Sequence, residues 1–217
     1  MIVFVPGYDE ATRANVAVAT RMRIDACEVL LSSEATKSEL LIRLARAPVP
    51  FFAMSHGEPN RLFDHNNEAA LDSHDVSFIG NRCCYVFACW TAGELGRAAA
   101  QSGATWWGYT GAVGAPDADE RFVGWFADVF EMIRGRFELA LTIESRRQLL
   151  EDIATRCREY MAMLDDDEGA SPDAYLSLMH IWGRLRVWVP GATDAERHPN
   201  APLPSILDEN PNQSRGR

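Results

Sequence analysis

Phe51-Phe52-Ala53-Met54-Ser55-His56-Gly57 and Tyr85-Val86-Phe87-Ala88-Cys89-Trp90 are the two stretches on which the fold turns. Each is a near-continuous apolar run of the kind a strand buried on both faces needs, and each ends in a reactive side chain. Working outward, Ile2–Val5 is a β-prone run closed by Pro6-Gly7, and Asp9 is placed to cap a helix over residues 10–23. Residues 27–31 resemble a second strand. Ser32 or Ser33 can cap a helix to Arg46, with Leu40, Leu41 and Leu44 at helical spacing and Pro48 and Pro50 ending it. Residues 51–55 make the third strand.

A polar excursion, residues 58–74, separates the two stretches; Asn60, Asp64, Asn66 and Asn67 are turn formers, and a hairpin with a loop is expected there. Residues 83–88 supply a fourth strand, 91–101 a helix and Thr105–Tyr109 a fifth strand. Glycine-rich residues 108–116 then fall at the sheet edge shared by His56 and Cys89. Apolar periodicity predicts helices over residues 119–134 and 142–164, and Ser171-Pro172-Asp173 has the cap-then-proline signature of another. Residues 187–189 read as a last strand. The alternation predicts an α/β fold: a mostly parallel sheet with helices on both faces, a three-layer sandwich. One domain is expected over residues 1–189, with 190–217, rich in Pro, Asn and charge, a largely mobile tail.

The 217 residues are 47% hydrophobic and 24% charged, sufficient for one substantial core. A net charge of −10 disfavours nucleic acid and anionic membrane as partners. The N-terminus reads as a strand and not a signal peptide, and no apolar stretch approaches the roughly 18 residues of a membrane span, so a cytoplasmic protein is expected. Five cysteines, Cys27, Cys83, Cys84, Cys89 and Cys157, form no regular framework and fit reduced thiols. Cys83 and Cys84 point to opposite faces of a strand, so core packing explains them better than a metal. Pro6-Gly7-Tyr8-Asp9 lacks the spaced glycines of a phosphate loop. Neither a metal nor a cofactor is expected.

Ligands of open parallel sheets gather at the carboxyl ends of the strands, where both His56 and Cys89 fall. A thiol is nucleophilic as its thiolate, and a nearby imidazole can take its proton or protonate a departing amine. Gly57, without Cβ, lets its N–H approach a substrate carbonyl and, with the Cys89 N–H, cradle an oxyanion; it can also simply end a strand. A helix starting near Thr91 would lower the Cys89 thiol through its positive end. His65 and His74 read as surface residues, and His180 as structural.

His-Gly after the third strand, Ala-Cys after the fourth and Gly103-Ala104-Thr105-Trp106-Trp107-Gly108-Tyr109-Thr110-Gly111 together resemble the caspase-fold peptidases. The likeness is closest to the CHAT-type proteases related to caspases and separase, and it covers residues 2–135. It implies Cys89 as nucleophile, His56 as general acid and base, and the N–H groups of Gly57 and Cys89 as oxyanion hole, with no third side chain required. The chain departs from caspases in lacking a cleavable linker after the cysteine strand. It also has Phe87 where a polar residue floors the specificity pocket, so aspartate specificity is not implied. Relatives that accept Arg or Lys carry a carboxylate in that pocket; Asp9 is the candidate, with Asp117 and Asp119 behind it, although Asp9 is equally a helix cap. Trp90, with Trp106, Trp107 and Tyr109, either lines an apolar pocket or belongs to the core.

The resemblance implies a cytoplasmic cysteine endopeptidase that cleaves a protein or peptide substrate through a thioester. Control would come from an activating partner protein or ordering of residues 108–116, and a role in bacterial defence or cell death would fit the group. Two alternatives stay open: a catalytically inactive caspase-fold scaffold that holds a peptide, and a thiol acyltransferase or thioesterase using the same pair.

Overall fold

A computed structural model of the chain describes residues 1–114, 120–165 and 172–202. Strand β1 (Ile2–Val5) leads through the Asp9 cap into helix α1 (Glu10–Arg21), then β2 (Glu28–Leu31), α2 (Lys37–Arg46) and β3 (Phe51–Met54). The polar excursion is a small antiparallel sheet, β4 (Gly57–Glu58), β5 (Arg61–Phe63) and β6 (Ala69–Asp72). After α3 (Val76–Ile79) come β7 (Cys83–Phe87), α4 (Glu94–Gln101), β8 (Thr105–Tyr109) and α5 (Glu120–Arg134). The described chain ends with α6 (Ile143–Asp165), α7 (Pro172–Gly183) and β9 (Leu185–Trp188).

The main sheet has the order β2-β1-β3-β7-β8-β9, parallel throughout except for β9, which runs antiparallel to β8. Alternating strand residues feed two cores. Val3, Val5, Phe52, Met54, Tyr85, Phe87, Trp107 and Tyr109 face α1, α5, α6 and α7. Ile2, Phe4, Phe51, Ala53, Cys84, Val86 and Trp106 face the apolar sides of α2 and α4. Burial on both faces is why these strands carry almost no polar residue, and each fully buried large apolar side chain contributes about 1.5–3 kcal/mol. The result is the expected three-layer α/β sandwich. Cys83 and Cys84 separate to the two cores, and Trp106, Trp107 and Tyr109 are fully buried, which removes them as pocket lining.

Three local expectations need correction. The cap of α2 is Thr36, whose side chain accepts the Glu39 N–H, while Ser32–Glu34 is a separate single turn with Ser32 at φ 49°. Helix α4 begins at Glu94, so residues 91–93 form a turn between Cys89 and the helix. Residues 190–202 are largely exposed but are anchored to the body at Glu196, His198 and Ala201. Val187 and Glu196 exchange backbone hydrogen bonds of 2.9 and 2.8 Å, the Glu196 carboxylate accepts two bonds from Arg146 (3.0 and 2.6 Å), and His198 is fully buried against Glu151 at 2.7 Å. Residues 203–217 of the expected tail lie outside the described residues. Among the described residues, no helix is long and apolar enough to cross a membrane.

Candidate active site

Strand order reverses between β1 and β3: the chain steps from β1 outward to β2 on one side, and from β3 outward to β7, β8 and β9 on the other. Connections therefore leave in opposite directions at the carboxyl ends of these two strands, the place where open α/β sheets bind their ligands. Asp9 follows β1 and His56 follows β3, side by side at that edge.

The Asp9 carboxylate has two tasks. Its Oδ1 accepts from the Thr12 N–H (2.8 Å) and hydroxyl (2.6 Å), closing a capping box at the start of α1, and its Oδ2 lies 2.6 Å from His56 Nε2. Burial pushes this carboxyl up, but the Thr12 bonds and His56 outweigh it, so its pKa ends below the ordinary value. With a carboxylate at Nε2, the neutral imidazole carries its proton there and leaves the Nδ1 lone pair free to accept one. Tyr8 adds a second constraint. Its ring packs 5.7 Å from that of His56 and 6.4 Å from His65, and its hydroxyl donates to Asn67 Oδ1 at 3.1 Å. Burial, with Asp9 and Asp64 nearby, pushes the Tyr8 phenol up to about 12, so it stays a neutral donor.

Register brings the backbones that carry the histidine and the thiol to the same sheet edge. Met54 pairs with Phe87, the Ser55 N–H donates to the Phe87 carbonyl at 3.0 Å, and the chain then carries His56 and Cys89 past the ends of these two neighbouring strands. Gly57 fixes the approach: a Cβ there would lie 2.7 Å from the Cys89 carbonyl oxygen, 2.7 Å from Thr91 Cγ2 and 2.9 Å from Ala88 Cβ. This glycine is thus required by contact between the two backbones. Because the Phe63 N–H donates to the His56 carbonyl, Gly57 and Leu62 form the neighbouring non-hydrogen-bonded pair, and the Gly57 N–H faces away from β5. Gly57→Ala is expected to cost about 1–3 kcal/mol by overpacking, measured as a lower urea midpoint. Unchanged stability would show that the two segments do not touch.

Cys89 is half-buried, and its sulfur accepts the Val113 N–H at 3.3 Å and contacts the Val113 carbonyl at 3.6 Å. Burial pushes the thiol above its ordinary range. The Val113 and Cys89 N–H groups and the Arg184 charge oppose that shift without reversing it. The lowering expected from a helix at Thr91 is therefore corrected, because the helix starts five residues after the sulfur and desolvation dominates. Trp90 adopts φ 58°, a left-handed conformation that costs a non-glycine residue about 1–3 kcal/mol. Hydrogen bonds from Trp90 N–H to the Gly111 carbonyl (3.2 Å) and from Gly93 N–H to the Trp90 carbonyl (2.8 Å) hold it there. Its indole N–H is buried without a partner among the described residues.

The structure thus brings Asp9, His56, Gly57, Cys89 and Trp90 to one edge, while Asp117 and Asp119 lie outside the described residues. Asp9 is occupied by Thr12 and His56 and does not present a bare carboxylate as a pocket floor. Its contact with His56 was missed in the sequence, as were Tyr8, Val113 and Arg184. Setting β1 beside β3 in parallel is the step that would have brought Asp9 to the histidine. Compared with protein-family models, curated proteins and solved structures, the chain matches none.

Proposed function

We propose that the chain is a cytoplasmic cysteine endopeptidase of the caspase-like, CHAT-type kind that hydrolyses a protein or peptide substrate. The observation that supports the proposal is the 2.6 Å contact between Asp9 and His56 at the end of β3, next to the strand that leads into Cys89. A histidine held in one tautomer can serve a thiol at the neighbouring strand end as the base that an activated nucleophile requires.

Nδ1 of His56 takes the Cys89 proton, and the sulfur adds to the scissile carbonyl. The negative oxygen is met by the N–H groups of Gly57 and Cys89. Imidazolium, balanced by Asp9, then protonates the departing amine as the carbon–nitrogen bond breaks and leaves a thioester. Water attacks that thioester, His56 accepts its proton, and the acid product departs as the thiol is restored. Because burial raises the resting thiol, proton transfer to His56 precedes attack.

The same raised thiol, covered by Val113, favours a second reading, an inactive module that holds a peptide. A peptidyl electrophile separates the two. In the presence of cell lysate it is expected to modify Cys89 in preference to the other four thiols, and His56→Ala should slow that labelling by about 10²-fold. Labelling of Cys89 no faster than partly exposed Cys27, and indifferent to His56, would leave only the binding module.

A further inference from the structure

We propose that Arg184, between α7 and β9, is a positioning residue for the nucleophile: it pins residues 110–113 over the Cys89 sulfur and so sets that atom's cover and hydrogen bond. This inference rests on Cys89 being the nucleophile.

The segment leaving β8 touches Arg184 along its whole course. The Arg184 carbonyl accepts from the Thr110 N–H at 3.1 Å and is reached by the Thr110 hydroxyl at 3.3 Å. The Arg184 stem lies flat against Gly111, where an added Cβ would come within 3.0 Å of both its Cδ and Nε. Its Nη1 donates to the Ala112 carbonyl. The next residue, Val113, is the one whose N–H meets the sulfur. Gly111 also accepts the Trp90 N–H, so the same segment holds the left-handed residue that follows the nucleophile. One residue further, a Cβ on Gly114 would lie 2.7 Å from Ser177 Oγ of α7.

Arg184 is itself fixed from behind. Its N–H donates to the His180 carbonyl at the end of α7, and Leu185, the next residue, pairs with Tyr109. Through this contact the α6–α7–β9 layer, whose role the sequence left unassigned, bears on the catalytic edge. Its cationic head also opposes part of the burial-driven rise of the thiol.

Site-resolved alkylation by iodoacetamide between pH 7 and 10 tests this without any substrate. Arg184→Ala removes the donor and Arg184→Gln, two atoms shorter, withdraws it from the Ala112 carbonyl, and Cys89 is expected to react about fivefold faster or more at neutral pH, as local opening becomes easier. Cys84 and Cys157, fully buried, should stay protected. Arg184→Lys, which keeps the charge and a donor, should return the rate to within about twofold of wild type. If Arg184→Ala exposes Cys84 and Cys157 as well, it has unfolded, and Arg184→Gln decides. A Cys89 rate in the folded variants equal to or below that of wild type overturns the inference. Faster alkylation in a protein that cleaves nothing would keep the positioning role and discard the peptidase; unchanged alkylation in an active peptidase would do the reverse.

Discussion

Cys89→Ala is expected to abolish cleavage of the native substrate, by about 10⁴-fold or more, and to leave the protein folded. The sulfur is half-buried at a strand end, and its interactions with Val113 are weak ones made by a thiol. Their loss should lower the unfolding free energy, measured by urea titration, by no more than about 1 kcal/mol. His56→Ala should reach a similar floor, and the double variant should be no worse than either alone, because base and nucleophile act as a unit. Additive losses would mean that the two side chains serve separate steps.

Asp9→Asn is expected to lower kcat by about 10²–10⁴-fold with little change in KM, while α1 remains capped. The amide oxygen can keep the Thr12 bonds, which turns the NH2 group toward His56 Nε2. A donor there forces the ring proton onto Nδ1, the nitrogen that must accept from Cys89, so the chemistry stops although the geometry survives. The variant also has a signature in stability. The folded pKa of Asp9 lies below its ordinary 3.8, so its stabilising contribution is present above that pH and is lost as the pH falls through the folded value. Urea midpoints of Asp9→Asn should consequently fall less steeply than those of wild type below pH 4. Equal activity in Asp9→Asn would reduce Asp9 to a helix cap.

The strands were legible because burial on both faces leaves no room for polar residues, so Ile2–Val5 and Phe51–Met54 read as unbroken apolar runs. The place of His56 and Cys89 at the carboxyl edge of the sheet was legible for the complementary reason, since each directly follows such a run. The α2 cap was misplaced because Ser32, Ser33 and Thr36 offer the same hydroxyl chemistry, and only backbone geometry selects Thr36. Asp9 was legible as a cap because that contact is local. Its bond to His56 spans 47 positions and exists only because β1 and β3 are sheet neighbours. Arg184 was hidden for a related reason: its hold on residues 110–112 follows from β9 turning antiparallel beside β8. Raising of the Cys89 thiol was missed because a helix start three residues later than expected removes the dipole, while enclosure by a distant segment supplies the desolvation.

The most direct test of the Cys89–His56 pair is a mass-spectrometric map of new peptide ends formed in a lysate by the wild-type protein, by Cys89→Ala and by His56→Ala. A defined set of ends that appears with the wild type and vanishes with both variants is the predicted result. The same ends persisting with Cys89→Ala would contradict it.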